Sequence, residues 1–354
     1  MSPVLVALFV VSGATSLVYQ SVWARELHLV LGTSQFAVSV VLAAFMGGLG
    51  LGGALAGRYA RTVARPLRVY GALELGIGAY AVAFPVLVRG ITPLYVAVAG
   101  IPGADAVHGL LAAAVLLPPT VAMGATLPLL TRLVTDRRGT VGDRVAVLYA
   151  ANTAGAVAGT ALAGLWLLPT IGLHATTITA ATGNAALGLV AIGADRLFSP
   201  VEPDDDLARD EVGALGPAAV APWLAFLAGA AALGCEVTWT RLVALILGGS
   251  TYAFTAMLLA VLLGIAIGGR FAGPLADDAL RARGTAGVLA TFGWIQLALA
   301  VLGVGSTFVW PLLPYLFVWT FDGFDGKHHP DAVFVASFGC AIGVLLPQAI
   351  AMGA

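Results

Sequence analysis

Two glutamates stand where a glutamate is expensive. Glu74 interrupts the apolar stretch 69–88, and Glu236 comes late in the apolar stretch 219–240. A carboxylate withdrawn from water needs a cation or several hydrogen-bond donors to hold it. Gln20 and Gln296 occupy the matching places in two other apolar stretches. Two carboxylates and two amides could line a cavity for a small cation, and a polycation must have its ammonium groups paired once it is desolvated. The plainer reading keeps the acids local. Glu74 would reach back to the surface or pair with Arg68, and Glu236 would pair with Arg241, a little more than a turn further on.

Arg25 and Arg241 each follow a tryptophan by two residues, Trp23 and Trp239. Such a pair suits an interface anchor, with the indole at headgroup level and the guanidinium reaching phosphate. It would also suit a gate that closes the outer side of a cavity. Asn152 is expected to bond a neighbouring helix. Pro118, Pro119 and Pro128 should kink their helix, as should Pro347. His328 and His329 share a polar loop with Asp322, Asp325 and Asp331, without the spacing that marks a metal site. Cys235 and Cys340 lie in apolar runs and read as small buried hydrophobes. No nucleophile–base pair, metal motif or cofactor motif stands out, so the residues offer no catalytic group.

The elements that must position these side chains follow from composition. Of 354 residues, 60% are hydrophobic and only 10% charged, with a mean hydropathy of +0.97. Soluble domains carry about 25% charged residues. The lipid bilayer is therefore the expected solvent, and helices are the natural spanning structure in it. With a net charge of −1, nothing points to nucleic acid. Apolar runs predict about ten spans, near 3–24, 34–57, 69–88, 108–131, 145–168, 174–194, 219–240, 251–273, 286–307 and 332–354. The first is read as a span and not as a cleaved signal. A further apolar piece with Pro311 and Pro314 reads as re-entrant or interfacial. Arginines cluster after the second, fourth and eighth spans (Arg58, Arg61, Arg65 and Arg68; Arg132, Arg137, Arg138 and Arg144; Arg270, Arg281 and Arg283). By the positive-inside rule those loops and the N-terminus are cytoplasmic. Arginine- and alanine-rich usage fits a bacterial inner membrane.

The chain also repeats itself. Trp23 to Leu27 matches Trp239 to Val243, and Leu31 to Ala37 matches Leu247 to Ala253. Gly48 to Gly53 matches Gly264 to Gly269, Gly71 to Leu75 matches Gly293 to Leu297, and Leu116 to Ala125 matches Leu345 to Ala354. This predicts a six-helix repeat over 1–195, an acidic cytoplasmic linker over 196–217, and a second repeat over 218–354. An even number of spans makes the repeats parallel, as in the layout of major-facilitator transporters. The last match falls on the final residue, so the second repeat is expected to be truncated after its fourth helix, as a fragment or by loss of two helices.

Three segments resemble the membrane domain of fused spermidine synthases, bacterial proteins related to polyamine aminopropyltransferases. They are Leu17 to Arg25, Ala122 to Pro128 and Leu148 to Ala156. The resemblance covers essentially the whole chain. It implies a membrane location and a polyamine context. Members of that family carry a soluble Rossmann-type domain that binds decarboxylated S-adenosylmethionine through a glycine-rich loop. This chain has no counterpart of it, and Gly47 to Gly53 lies inside an apolar span, where it reads as a helix-packing face. Two functions remain open. One is a transporter-like domain for a polyamine or other small cationic solute, with Glu74, Glu236, Gln20 and Gln296 at the binding site. The other is a membrane platform for an aminopropyltransferase-like domain.

Overall fold

In the bilayer every backbone polar group must find an internal partner, and each described element of the chain is helical. The computed structural model describes residues 3–31, 35–134, 141–198, 200–201, 220–247, 251–323 and 332–354. Most of the acidic linker lies outside these residues. So do Arg137 and Arg138, and the loop with Lys327, His328, His329, Asp325 and Asp331. The chain divides into two compact units, Met1–Val212 and Gly213–Ala354.

The first unit holds α1 (Pro3–Leu31), α2 (Gln35–Tyr59), α3 (Pro66–Ala97), α4 (Ala104–Val134), α5 (Val141–Ala161) and α6 (Leu168–Ala194). A π-helical stretch, Leu162–Leu167, joins the last two. The second unit holds α7 (Ala221–Leu247), α8 (Thr251–Ser306), the short α9 (Leu313–Gly323) and α10 (Ala332–Gly353). At eleven residues, or about 16 Å, α9 is too short to cross a hydrocarbon core of about 30 Å.

Among the described residues, eight helical stretches are long and apolar enough to cross a membrane. The chain is thus an all-α, multi-span membrane protein. The apolar pattern predicts ten spans, and the difference has a local cause. Val147–Leu197 and Tyr252–Ser306 are 51 and 55 residues long, or about 77 and 83 Å if straight. Each runs through what the sequence divides into two spans. Each is also broken by a residue off the helical path, Gly172 (φ 75°, ψ 178°) and Gly284 (φ 62°, ψ −151°). Side chains other than glycine rarely adopt such positive φ, so these glycines mark real breaks in the helices.

Lipid supplies no hydrophobic force between helices, so close packing must hold them together. Glycines provide it. In the first unit α1 packs on α5 and α6, α2 on α4, and α3 on α4 and α6. A methyl group built at Gly13 would collide with Asn152 of α5, and one at Gly155 with Val10 of α1. On the α2–α4 seam, Gly48 abuts Thr120, Gly52 abuts Val121 and Ala125, and Gly124 abuts Leu49. In the second unit α8 packs on α10 in the same manner. Gly264 abuts Ala349, Gly268 abuts Ile350 and Ala354, and Gly353 abuts Ile265. These are the positions that the sequence aligns, contact for contact.

Proline shapes α4 without ending it. Pro119 has no N–H to give to the carbonyl of Val115, four residues back. The Tyr80 hydroxyl of α3 donates to that carbonyl instead, at 2.9 Å. A buried acceptor is thereby satisfied and α3 is tied to α4.

Candidate functional site

Glu74 sits on α3 where α1 and α6 cross it, and it is 1% exposed. The site is built from small residues around it. Gly78, one turn on, lets the backbone of α6 approach at Ala181, and Gly71 does the same at Gly188. That approach brings Asn184 to the carboxylate. Its Nδ2 donates to Glu74 Oε2 at 2.9 Å and lies 3.4 Å from the Glu74 carbonyl oxygen. Ser12 of α1 donates through Oγ to Oε1 at 2.6 Å. The Tyr70 hydroxyl, one turn before Glu74 on α3, donates to the Leu8 carbonyl at 3.3 Å and interacts with the same carboxyl group.

The hydrogen-bond partners of Glu74 are therefore all neutral. Arg68 is not one of them. Bonds from neutral donors stabilise a buried carboxyl group but do not balance a full charge, which normally costs several kcal/mol to bury. One further atom is out of balance. Asn184, itself 1% exposed, has no partner for Oδ1. A neutral carboxyl could supply a proton donor there, and so could a small cation or a water.

The other predicted residues fall elsewhere. Gln20 is buried on α1 in the same unit, 6% exposed. Glu236 is half-buried on α7, where its carbonyl accepts a bond from Thr240 Oγ1 at 2.7 Å. Gln296 is half-buried on α8. Within the first unit, Glu74 and Gln20 belong to different helices, and the residues that gather at Glu74 are Ser12, Tyr70 and Asn184.

Trp23 has no exposed surface. Its ring stacks on Tyr19 at 5.0 Å and on Phe84 at 4.8 Å, with Phe45 tilted against it at 6.5 Å. An indole so enclosed meets protein and not headgroups. Trp239 is also buried, while Arg25 is half-buried and Arg241 exposed. Asn152 stands at the α1–α5 crossing against Gly13. Both cysteines are free thiols, Cys340 buried and Cys235 partly so.

Ser12, Tyr70 and Asn184 did not stand out from sequence. Hydroxyls and amides are common in spanning helices, where they bond neighbours. The signal that could have found them is the small-residue spacing on α3, Gly71 and Gly78 around Glu74, which marks the face that receives another helix. Among the described residues no group of three or more His, Cys, Asp or Glu is placed to hold a metal. Compared with known proteins, the chain matches no family model and no curated protein.

Proposed function

We propose that this multi-span membrane protein is a transporter-like domain for a small cationic solute, with Glu74 as the charge that receives it. The observation that carries the reading is a carboxyl group buried in a membrane bundle with neutral partners only. An intramembrane acid of this kind is expensive, and function is the ordinary reason to keep one. The resemblance to fused spermidine synthases favours a polyamine as cargo, with Gln20 as a further contact in the first unit and Glu236 and Gln296 as the corresponding contacts of the second. Arg25 and Arg241 then serve as gate residues.

The reading includes a layout of ten spans, in which the breaks at Gly172 and Gly284 separate pairs of spans. The matched glycine contacts of α2–α4 and α8–α10 support two related units. The reading takes the N-terminus as cytoplasmic, which the arginine-rich loops favour, and the membrane as a bacterial inner one, which the arginine- and alanine-rich usage favours.

A second reading, the platform for an aminopropyltransferase-like domain, draws on the tightness of the site. Both oxygens of Glu74 are engaged by Ser12 and Asn184, as a group that only holds helices together would be. Uptake of radiolabelled spermidine into proteoliposomes separates the two. Transport by the protein that Glu74→Gln and Glu236→Gln abolish supports the first. Correctly folded protein that moves no spermidine refutes the polyamine reading and favours the platform.

A further inference from the structure

Polar atoms without partners are concentrated on one face of α1. Tyr19 Oη, Trp23 Nε1 and Glu26 Oε2 are each buried with no hydrogen-bond partner. The residues are 0%, 0% and 9% exposed. At 100° per residue, Ser12, Tyr19, Trp23 and Glu26 fall within an arc of about 60° and span about 21 Å of helix. The stripe begins at the Glu74 site, because Ser12 Oγ bonds the carboxylate. The same site contributes the unpartnered Oδ1 of Asn184. His28 Nε2, also buried without a partner, lies near the far end but on the opposite side of α1 from this stripe.

Orphaned buried polar groups are uncommon, because each forfeits the hydrogen bonds it had in water. Tyr19 Oη, Trp23 Nε1 and Glu26 Oε2 on one face of α1, with Asn184 Oδ1 at the Glu74 end, call for a common explanation. Buried water supplies one, since a water typically joins two to four otherwise unsatisfied groups. The stripe alternates donors and acceptors: carboxylate, phenol, indole N–H, carboxylate. Waters beside it would find partners at Tyr19, Trp23 and Glu26, and at Asn184 by the Glu74 site.

We propose that this face of α1 is an internal hydrated track along which Glu74 exchanges protons with the Glu26 end of the helix. Water is the ligand of the track and the proton its traffic. The proposal rests on the reading of Glu74 as a functional carboxyl group and adds the means by which its charge is renewed. Several ionisable groups act on the track. Tyr19 and Tyr70 interact with Glu74, Arg89 acts on Glu26, and Arg25 acts on His28. Of the helices packed on α1, α6 adds only His174, and α5 beyond its first turn adds only Tyr149, which is 41% exposed. α2 and α4 carry theirs near their ends: Arg58 and Tyr59, and Asp105, His108 and Arg132. Arg68 completes the set on α3, with Tyr80 and Tyr95 bonded or stacked elsewhere.

Radiolytic hydroxyl-radical labelling of the purified full chain in nanodiscs tests the track without any cargo. Radicals generated from a bound water label the side chains beside it even when bulk solvent is excluded. Tyr19 and Trp23 should be labelled several-fold faster than Phe9, which is 1% exposed and belongs to an apolar cluster. Labelling no faster than at Phe9 overturns the proposal. Infrared spectra test the proton. The wild type should show a carboxylic-acid carbonyl band that shifts promptly in D2O and that Glu74→Gln removes. A spectrum unchanged by Glu74→Gln, with the variant folded, also overturns it. If that variant fails to fold, labelling of the wild type still decides. Neither readout depends on spermidine, so failed transport with a labelled track would refute the cargo and not the water.

Discussion

Gly124→Ala is the sharpest test of how the bundle is held. A Cβ at Gly124 would overlap the Leu49 carbonyl oxygen of α2, and would lie 2.7 Å from its carbonyl carbon and 2.8 Å from its Cα. Carbon atoms in contact prefer about 3.5–4.0 Å, so the two helices must part by about 1 Å. No side-chain rotation relieves a clash with backbone. Separation also loosens the neighbouring contacts of Gly48 with Thr120 and Gly52 with Val121. Overpacking of this kind costs about 1–3 kcal/mol. Gly50→Ala is the control, since a Cβ there meets nothing within 4 Å, and alanine gains up to about 1 kcal/mol in helix propensity. Both variants share that gain, so they should differ by the overpacking cost, about 1–3 kcal/mol, or about 2–12 °C in Tm at about 2–4 °C per kcal/mol. Differential scanning fluorimetry in detergent measures it. The matched substitution in the second unit, Gly353→Ala against Ile265, should show the same sign, read by earlier thiol labelling of buried Cys340 in a Cys235→Ser background. If Gly124→Ala melts at or above Gly50→Ala, close backbone approach does not hold α2 to α4.

Three further outcomes are expected. Ser12→Ala and Asn184→Leu each remove a donor to buried Glu74 and should destabilise the protein by about 1–3 kcal/mol. The cost of Ser12→Ala should shrink in a Glu74→Leu background, and additive costs in this double-mutant cycle would refute the bond. Tyr80→Phe leaves the Val115 carbonyl beside Pro119 without its donor. Thermal unfolding should report a loss of about 1 kcal/mol, and a neutral result would mean that water satisfies that carbonyl. A single cysteine at Pro102, in a protein otherwise free of cysteine, should react with an impermeant maleimide added to intact cells, while one at Ala64 should not. The reverse pattern would invert the orientation.

The helices were legible because lipid leaves the sequence few choices. A run of some twenty apolar residues must be a helix, and the run itself displays it. The breaks within Val147–Leu197 and Tyr252–Ser306 were legible as loops but not as geometry. Gly172 and Gly284 bend the path while the flanking residues stay helical, and hydropathy is blind to a turn made by one residue. The burial of Trp23 was misleading for a related reason. A tryptophan beside an arginine has the composition of a headgroup anchor. Whether it faces lipid depends on helix rotation, which hydropathy along the chain does not report.

The same blindness explains the acid. Glu74 was conspicuous because charge is rare in an apolar run, but its partners were not, because a serine and an asparagine in a spanning helix look like ordinary glue. What selects them is the glycine pattern on the receiving face. Gly71 and Gly78 sit three residues before and four after Glu74, on the side that admits α6, and Asn184 follows from that approach. The glycine seams of the two units argue alike. Gly48, Gly52 and Gly124 meet Thr120, Val121 and Leu49, as Gly264, Gly268 and Gly353 meet Ala349, Ile350 and Ile265. Thr120 is replaced by alanine at the matching place, so the seam does not depend on that hydroxyl, which in α4 bonds its own helix at Leu116. Conserving glycine while polar residues vary is what a close-packed pair requires. Chemistry then has to be sought where the two units differ, and Glu74, matched by Gln296, is such a place.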